Sequence, residues 1–567
     1  MKEYLKFMRI TSFSGSSVGK PKSQHSLLSL LRFYFKAYRR KYFLRTRTKL
    51  FSFGVIDLPL NELNEIARRN IFYKSRTRAQ YELAHWHFRQ STPSDYRCAL
   101  LWSQRAYRKS RDRDLRRKAA VLQLICHYLL KESSSGLDLY SKLTKRNDID
   151  DDILLARANL EKSEFKRIDW INNVLKRNHI DPITLNGLKG SSFYDRLECG
   201  IEIPKTIDGP KVTVLIAAYD ASTVLPTALK SLQNQSWANL EIIVLDDFSP
   251  TLDTIRIAEK FAAEDTRIQG VRLPTNCGAY VARNHGLDMA SGDFVTLHDA
   301  DDWSHPRKIE AQVRFMLSNQ NVIACTSQQA RCTNELIFSK LRQKGGIISA
   351  NTSSLLWRRK QVVQDLGYWD TVRFDADSEF IERIKIIFGR ESVVNLSTGP
   401  LSFQRNELSS ITLDPVIGTD SGADYGARRE YKNARNYHHR TSKKLYYHNL
   451  IHERPFLAPK IMSTHNSSSS KRKFDVCLIA DFCSNRDLNN IIKTIDLYQK
   501  REKTVALVER PSHPYLSNGI SDSVRRKVCA NQVEICVYGE IVECKEVINF
   551  SENSSPLKYE PTIVLNK

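Results

Sequence analysis

Hydrophobic residues between positions 55 and 200 recur every three or four residues, which is the spacing of one face of an α-helix. Tyr81, Ala84 and Phe88 form one such series. Similar helical segments recur at a period of about 35 residues, close to that of tetratricopeptide helix pairs. We therefore predict a tetratricopeptide-like array of α-helical hairpins over residues 55–205, and we expect it to contact a protein partner.

Beyond Pro210 the pattern changes to short runs of aliphatic and β-branched residues that alternate with helical segments. This alternation predicts a parallel sheet with crossover helices over residues 206–415. Residues 416–472 contain one predicted helix and a serine-rich linker. Residues 473–567 contain strand, helix and strand patterns, which predict a partial Rossmann-like unit. The expected fold class is therefore multidomain, α and α/β.

The first fifty residues carry thirteen Lys or Arg and the single acid Glu3, about half of the chain's formal charge of +24. We predict a basic tail over residues 1–54, with an amphipathic helix at 26–45 that either lies on an anionic membrane or packs on the next domain. Basic charge also suits nucleic acid, but the sequence has no zinc finger, ribonucleoprotein strand motif or basic zipper. We therefore do not expect nucleic acid as a partner.

No stretch of the sequence approaches the roughly 18 apolar residues that a membrane-spanning helix needs. The pattern of a secretory leader is also not found. The eleven cysteines form no CxxC pair, which is typical of reduced thiols in the cytosol. These observations predict a cytoplasmic protein, peripheral at the inner face of the membrane if the basic tail binds there.

Acidic residues follow two of the buried strand patterns in the central region. Asp246 and Asp247 end the run EIIVLDD, where they either hydrogen-bond a nucleoside or act as turn formers and helix caps. Asp299, Asp301 and Asp302 crowd the end of the run FVTL. Three carboxylates this close raise each other's pKa unless a cation neutralises them. Mg²⁺ or Mn²⁺ is therefore the expected cofactor, and a solvated acidic loop is the alternative.

Five motifs occur in a fixed order along the central region. They are IAAYDAS, EIIVLDDFS, N-x-G-x-x-x-A-R-N, ASGDFVTLHDADDW and FDADSEFIERI. This ordered set resembles the family-2 glycosyltransferases, which have the GT-A fold. The resemblance covers about 200 of the 567 residues and implies a GT-A α/β domain over residues 206–415.

The resemblance implies a role for eight residues of this chain. The donor-binding residues are Ala217, Tyr219, Asp247, Arg283, Asp299 and Arg405, the metal ligand is Asp301, and the catalytic base is Asp377. In inverting family members a carboxylate, commonly in a Glu-Asp pair, deprotonates the acceptor hydroxyl. Here Ala376 replaces the Glu of that pair, which leaves Asp375 and Glu379 as rival bases. Asp377 is also a candidate N-cap of the helix that follows it.

The resemblance further implies the reaction. We expect a metal-dependent transfer, with inversion, from a nucleotide-sugar donor, UDP-linked, to a glycan or lipid-linked acceptor in polysaccharide or capsule synthesis. Two other functions stay open, namely a catalytically inactive glycosyltransferase-like binding or scaffold protein and a binder of anionic surfaces or nucleic acid through the basic tail. Residues 473–567 resemble half of a GT-B glycosyltransferase domain. Because a complete GT-B enzyme needs two Rossmann-like halves, we expect a non-catalytic remnant there.

Overall fold

The structure is a computed structural model. It describes residue 50 and residues 57–69, 73–187, 190–342, 345–406, 414, 416–418, 425–449, 454–463, 471–484, 487–511, 519–551 and 559–566. The predicted amphipathic helix at 26–45 lies outside the described residues. None of the described helices has the length and apolar character needed to cross a membrane.

In the described residues that precede the central sheet, seven α-helices are present. They are α1 (Asp57–Arg69), α2 (Tyr73–Phe88), α3 (Pro93–Lys109), α4 (Arg113–Leu129), α5 (Ser133–Lys145), α6 (Asp151–Ala158) and α7 (Glu164–Arg177). Consecutive helices from α1 to α5 pack against one another, and α6 packs against α7. The predicted helical region is therefore present, while its tetratricopeptide-like character stays a prediction. A short antiparallel pair, β1 (Ile183–Leu185) and β2 (Leu197–Cys199), follows it.

The central region contains a nine-stranded sheet with helices on both faces. Its strands are β3 (Val212–Ala218), β4 (Leu240–Asp246), β5 (Ile268–Arg272), β6 (Phe294–Leu297), β7 (Trp303–Ser304), β8 (Ala324–Cys332), β9 (Ile348–Ala350), β10 (Leu356–Arg358) and β11 (Val393–Arg405). Its helices are α8 (Leu225–Gln233), α9 (Asp253–Glu264), α10 (Ala279–Met289), α11 (Arg307–Ser318), α12 (Arg359–Asp365) and α13 (Ala376–Phe388).

The central sheet is mixed: all strands run parallel in one half, which we call the parallel half, whereas the other half has both parallel and antiparallel pairs. The strand order is β5-β4-β3-β6-β10-β8-β11-β7, with β9 paired to β8. Strands β5, β4, β3 and β6 are parallel, whereas β10 runs antiparallel to both of its neighbours. The prediction of a parallel sheet was therefore correct for these four strands and for β8 and β11, which pair in parallel. It was wrong for β10, β9 and β7, which run antiparallel to their neighbours. A buried three-residue strand such as β10 carries no sequence mark of its direction.

Alternation along β3 and β4 explains why helices cover both faces of the parallel half. Val212, Val214 and Ile216 pack with α8 and α9 on one face. Leu215 packs with the residues of α10 on the other face. A strand that is buried on both sides reads as a continuous apolar run, which is how these two strands were recognised. The helices leave the carboxyl ends of the strands as the edge on which the acidic residues lie.

A second sheet forms the C-terminal part of the chain. Its strands are β12 (Lys471–Ala480), β13 (Val505–Glu509), β14 (Val533–Cys536), β15 (Ile541–Asn549) and β16 (Thr562–Leu565), with α15 (Leu488–Lys500) and α16 (Asp522–Arg525) between them. All its pairings are parallel and its order is β14-β13-β12-β15-β16. Counted from β12, this is the order 3-2-1-4-5 of Rossmann-type sheets. Its likeness to half of a GT-B enzyme stays a prediction.

Helix α14 (Gly426–Thr441) lies between the two sheets. The Tyr431 hydroxyl donates to Asp370 of the central region at 2.9 Å. On the C-terminal side, Arg525 Nη2 donates to Glu430 Oε2 at 2.8 Å. The predicted helix within residues 416–472 is therefore a packed connection between the two sheets.

Candidate active site

The carboxyl ends of β3, β4 and β6 meet at one edge of the central sheet because these neighbouring strands are parallel. In open α/β sheets ligands bind at this edge. Ala217 lies within β3 and Tyr219 follows it, Asp247 follows β4, and the turn of residues 299–302 follows β6. The fold therefore brings three of the sequence-predicted motifs together at the end of the sheet where a ligand is expected.

Arg283 connects the acidic turn to α13. It lies on α10, and its Nη2 donates to Asp299 Oδ1 at 2.9 Å while its Nη1 donates to Asp377 Oδ1 at 3.3 Å. Burial disfavours its charge, but Asp377 and Asp299 raise the pKa of the Arg283 guanidinium above its ordinary value. The structure thus brings together three predicted site residues that lie far apart in the sequence, with a buried cation between two carboxylates.

The Asp377 carboxylate is held by two donors. Besides Arg283, the Tyr280 hydroxyl donates to its Oδ2 at 3.0 Å. Its side chain is 23 % exposed, so one edge of the carboxylate can reach a bound molecule. Burial raises the pKa of Asp377, Arg283 lowers it and Asp299 raises it, with a net shift upwards. A carboxylate with a raised pKa is a better proton acceptor than an ordinary aspartate.

Glu379 and Asp375, the two rival bases, have surroundings that differ from those of Asp377. The Glu379 side chain is fully buried, with Arg383 Nε at 2.7 Å and His439 Nε2 at 2.9 Å from its Oε1. Burial would raise the pKa of Glu379, but Arg383 and His439 lower it to about 2. Asp375 is the N-cap residue of α13 and lies 3.5 Å from Arg428. Because α13 begins at Ala376, Asp377 lies in its first turn and is not the N-cap.

The turn after β6 concentrates negative charge. Asp299 Oδ2 accepts a hydrogen bond from Ser353 at 2.6 Å, and the buried Asp302 accepts the Arg405 backbone N–H at 3.1 Å. Burial, followed by the charges of Asp301 and Asp299, raises the pKa of Asp302 well above its ordinary value. The sequence-based expectation of mutual repulsion in this turn is therefore confirmed for Asp302.

A divalent cation fits the chemistry of this turn. Within the described part of the chain, no three His, Cys, Asp or Glu side chains converge as a preformed metal site. Asp301 is only partly buried, so its carboxylate can contact an incoming ligand. Mg²⁺ needs one or two carboxylates when substrate phosphates and water complete its coordination. The turn supplies that number, and the negative charge that raises the Asp302 pKa is charge that a cation would neutralise.

Asp247 is fixed at the N-terminus of α10. Its two carboxylate oxygens accept the backbone N–H groups of Cys277 and Gly278, both at 2.8 Å. Gly278 has φ +87°, a conformation that favours glycine and explains the glycine of the N-x-G motif. Each carboxylate oxygen keeps a further lone pair that can accept from a ligand. Tyr219, at the end of the adjacent strand, is about half exposed.

Comparison with known proteins places this site in a family. Residues 213–379 match the family model described as Glycosyl transferase family 2. This part of the chain is a family-2 glycosyltransferase domain. The range includes every predicted site residue except Arg405.

Relatives of the family-2 domain are found among curated bacterial proteins. The Bacillus subtilis protein EpsE is 35 % identical over 141 residues, which are 25 % of this chain and 48 % of EpsE. The GalNAc(5)-diNAcBac-PP-undecaprenol beta-1,3-glucosyltransferase of Campylobacter jejuni is 39 % identical over 94 residues, 16 % of this chain and 30 % of that enzyme. The chain thus spans less than half the length of each.

Solved structures of glycosyltransferases show a weak likeness. S. aureus TarS 1–349 in complex with UDP-GlcNAc is 18 % identical, with a TM-score of 0.30 over 35 % of this chain and 60 % of that protein. The mannosyltransferase PcManGT from Pyrobaculum calidifontis, in complex with GDP-Man and Mn²⁺, is 14 % identical, with a TM-score of 0.29. The match covers 52 % of this chain and 77 % of that protein.

Arg405 lies just beyond the family-2 match and is anchored within the protein. Its guanidinium forms an ion pair with Asp195, and its Nη1 donates to Asn334 Oδ1 at 2.8 Å. Its Nε donates to the Asp301 carbonyl at 3.3 Å. The predicted contact of this side chain with a diphosphate stays a prediction. Most of the loop that was expected to carry it over the donor lies outside the described residues.

Sequence patterns missed three residues that touch the predicted site of the family-2 domain. Tyr280 precedes Arg283 by three positions on a helix, so helical spacing alone could have placed both on one face. Ser353 contacts Asp299 across 54 positions, and Asp195 contacts Arg405 across 210 positions. Contacts this distant depend on the path of the chain and leave no local signal.

Proposed function

We propose that this chain is a metal-dependent inverting glycosyltransferase that transfers a sugar from a UDP-sugar to an acceptor hydroxyl. One observation carries the proposal: Arg283 bonds Asp299 of the expected donor site and Asp377 of the expected acceptor site at the same time. A base and a donor-binding turn joined by one buried residue have the proximity that a single displacement requires.

Asp377 is the proposed base. The Glu379 carboxylate is fully buried against Arg383 and His439, so it has no edge for a substrate. Asp375 occupies the N-cap position of α13 and lies 3.5 Å from Arg428. Asp377 combines partial exposure, a raised pKa and a contact with the residue that binds the donor turn. These differences favour Asp377 over both rivals.

The proposed reaction is a single in-line displacement. Asp377 accepts the proton of the acceptor hydroxyl as the oxygen forms its bond to the anomeric carbon, and the bond from that carbon to the diphosphate oxygen breaks. The sugar is transferred with inversion, and no protein nucleophile is needed. A divalent cation held by Asp301 would supply Lewis-acid stabilisation of the charge on the leaving diphosphate. Ionised Asp377 is required, so the rate falls as the pH drops through its raised pKa.

The donor-binding assignments complete the proposal. Ala217 and Tyr219 line the nucleoside pocket, Asp247 hydrogen-bonds the base, and Asp299 contacts the ribose. Arg283 and Arg405 lie beside the diphosphate. A glycan or lipid-linked acceptor in polysaccharide synthesis is proposed because a curated relative is named as a glucosyltransferase acting on an undecaprenol-linked glycan.

A donor screen tests this function. The purified chain is incubated with a panel of nucleotide-sugars and Mn²⁺ or EDTA, and release of nucleoside diphosphate is measured. We expect release from a UDP-sugar with Mn²⁺ and none with EDTA. Asp377→Asn should lower the rate by about 10² to 10⁴-fold while retaining UDP binding, because it removes the base alone. Asp301→Asn should weaken Mn²⁺-dependent UDP binding itself.

Glu382→Gln is the matched control for both variants. Glu382 lies on α13, five residues beyond Asp377, and pairs with Lys385 at the surface at 2.8 Å. Its loss should leave turnover unchanged. If Asp377→Asn and Asp301→Asn turn over like Glu382→Gln, the site assignments are wrong. If the parent protein binds UDP with Mn²⁺ yet releases no nucleoside diphosphate from any donor, the chain is a binding protein.

A further inference from the structure

The acidic turn of the family-2 domain is held by residues that precede the central sheet. Tyr194 is fully buried in a one-turn helix, and its hydroxyl accepts the Trp303 backbone N–H at 2.8 Å. The same hydroxyl donates to the Phe403 carbonyl at 2.5 Å. In addition, the Trp303 indole N–H donates to the Leu197 carbonyl at 3.1 Å. One end of the turn is therefore fixed to the 194–197 segment and to β11.

Arg405 fixes the rest of the turn. Its backbone N–H donates to Asp302 Oδ1 at 3.1 Å, and its Nε donates to the Asp301 carbonyl at 3.3 Å. Together with Tyr194, it places a hydrogen bond on each of three consecutive residues, at positions 301, 302 and 303. The side chains of Tyr194 and Arg405 thus both hold the backbone of the turn that carries Asp301, the expected metal ligand.

Asp195 in turn fixes Arg405. Its carboxylate forms the ion pair with the Arg405 guanidinium, whose carbon lies 4.2 Å from the centre of the Tyr194 ring. Thr227 and Ser192 each donate to the same carboxylate at 2.6 Å, so the carboxylate itself has a defined orientation. A buried arginine requires such a partner, because an unpaired charge in the interior is costly.

We propose that Tyr194 and Asp195 are positioning residues of the donor site, which set the geometry of the 301–303 turn for a divalent cation and a nucleoside diphosphate. Both lie outside the family-2 match at residues 213–379, so a segment that precedes the matched range supports the donor site of this chain. The identity of the ligand rests on the proposed function, whereas the positioning of the turn does not. Metal ligands must be held within a few tenths of an ångström. Hydrogen bonds that fix the backbone of the 301–303 turn therefore affect how well Asp301 can bind a cation.

Asp195→Asn in the full chain tests the proposal. The substitution keeps the shape of the side chain and removes the charge that orients Arg405. In the ligand-free protein, we expect hydrogen exchange of the backbone amides at 299–304 to accelerate about tenfold. Calorimetry with UDP and Mn²⁺ should show binding weakened about tenfold, and the KM for the donor should rise more than kcat falls. Tyr194→Phe should accelerate exchange at the same amides.

Asp181→Asn is the matched control. Asp181 also lies before the central sheet and pairs with Arg307 of α11 at 2.9 Å, but it does not touch the turn. It should leave exchange at 299–304 and UDP binding unchanged, and circular dichroism and melting temperature establish folding for all three variants.

Two results would overturn the proposal. In one, Asp195→Asn matches Asp181→Asn in exchange and UDP affinity, which makes the ion pair purely structural. In the other, Asp195→Asn binds UDP more tightly, which means that Asp195 withholds Arg405 from the ligand. If the parent releases no nucleoside diphosphate, the proposed function fails, and the exchange measurement alone still decides whether the 194–197 segment orders the turn.

Discussion

The proton-accepting strength of Asp377 is set by its immediate neighbours. Burial raises its pKa, the Arg283 guanidinium lowers it, the Asp299 carboxylate raises it and the hydrogen bond from Tyr280 lowers it. Together these effects raise the pKa of Asp377 above that of an ordinary aspartate. A base must be ionised to act, so these neighbours place the acidic limb of the pH profile above that of an isolated aspartate.

Tyr280→Phe should move the acidic limb of the kcat profile to higher pH by roughly half to one unit, since it removes one donor that stabilises the carboxylate. The measurement is kcat between pH 5 and about 9 with the donor found in the screen. Tyr368→Phe is the control, because Tyr368 also donates to a carboxylate of α10, that of Asp288, outside the site. A profile that does not move would show that Tyr280 has no part in tuning Asp377.

At this scale the sequence could identify the acids but not all of their partners. Asp301 and Asp377 lie in motifs whose residue types and spacing are local, so a resemblance finds them. The departure at Ala376 left three candidate bases, and only burial and ion pairing distinguish Glu379, whose carboxylate is used by Arg383 and His439. The pair with Arg383 has helical i,i+4 spacing, whereas the contact with His439 depends on α14 packing beside α13, which no local pattern contains.

Helix α6 docks on the central region through its first turn. Asp152 Oδ1 accepts the backbone N–H groups of Ile347 and Ile348 at 3.1 and 2.8 Å. Burial raises the pKa of Asp152 to about 6, although these two hydrogen bonds lower it. The folded protein therefore holds a proton here that the unfolded chain releases near pH 4. Stability should fall as the pH rises from about 4 to 6, because the native carboxylate must ionise while buried.

Asp152→Asn should raise the free energy of unfolding at pH 8 by about 1 to 3 kcal/mol, since the amide oxygen can still accept both N–H groups and carries no charge. The gain should shrink at pH 5, and urea unfolding at the two pH values measures it. Asp151→Asn provides the comparison, because Asp151 lies in the same turn and pairs with Arg177 near the surface at 2.7 Å. That change should cost at most about 1 kcal/mol. An equal or lower stability of Asp152→Asn at pH 8 would refute the assignment.

Helices and strands could be predicted from the sequence where hydrophobic residues have a clear periodicity, but the direction of a strand in the sheet could not. The helical region and the strands β3, β4 and β6 follow from apolar spacing and run length. The antiparallel β10 does not, because a strand of three residues, two of them buried, looks alike in either direction. The site is unaffected by this error, since Asp247, Asp299 and Asp301 follow strands of the parallel half, where the prediction was correct, and Asp377 lies on α13.

The two sheets are joined by α14, which the sequence indicated only as a helix beside a linker. The charged residues of GARREYKNARNYHHR suggest a solvated helix, yet Tyr431 and Glu430 are buried against different sheets. Contacts with two distant parts of the chain cannot be read from one segment. The same helix brings His439 to Glu379 on α13, so the C-terminal sheet is connected through α14 to the helix that carries the proposed base.

Glu430→Gln should uncouple the unfolding of the two sheets. The variant leaves the Arg525 guanidinium buried without a carboxylate, and breaking such a pair costs about 3 to 5 kcal/mol. Calorimetry should then show the C-terminal sheet unfolding in a separate transition at lower temperature, while nucleoside diphosphate release at low temperature persists because the donor site is untouched. Arg440→Gln breaks an exposed pair with Asp522 between the same two elements and should change little. A single transition with an unchanged midpoint in Glu430→Gln would mean that the C-terminal sheet is held to the family-2 domain by contacts other than this ion pair.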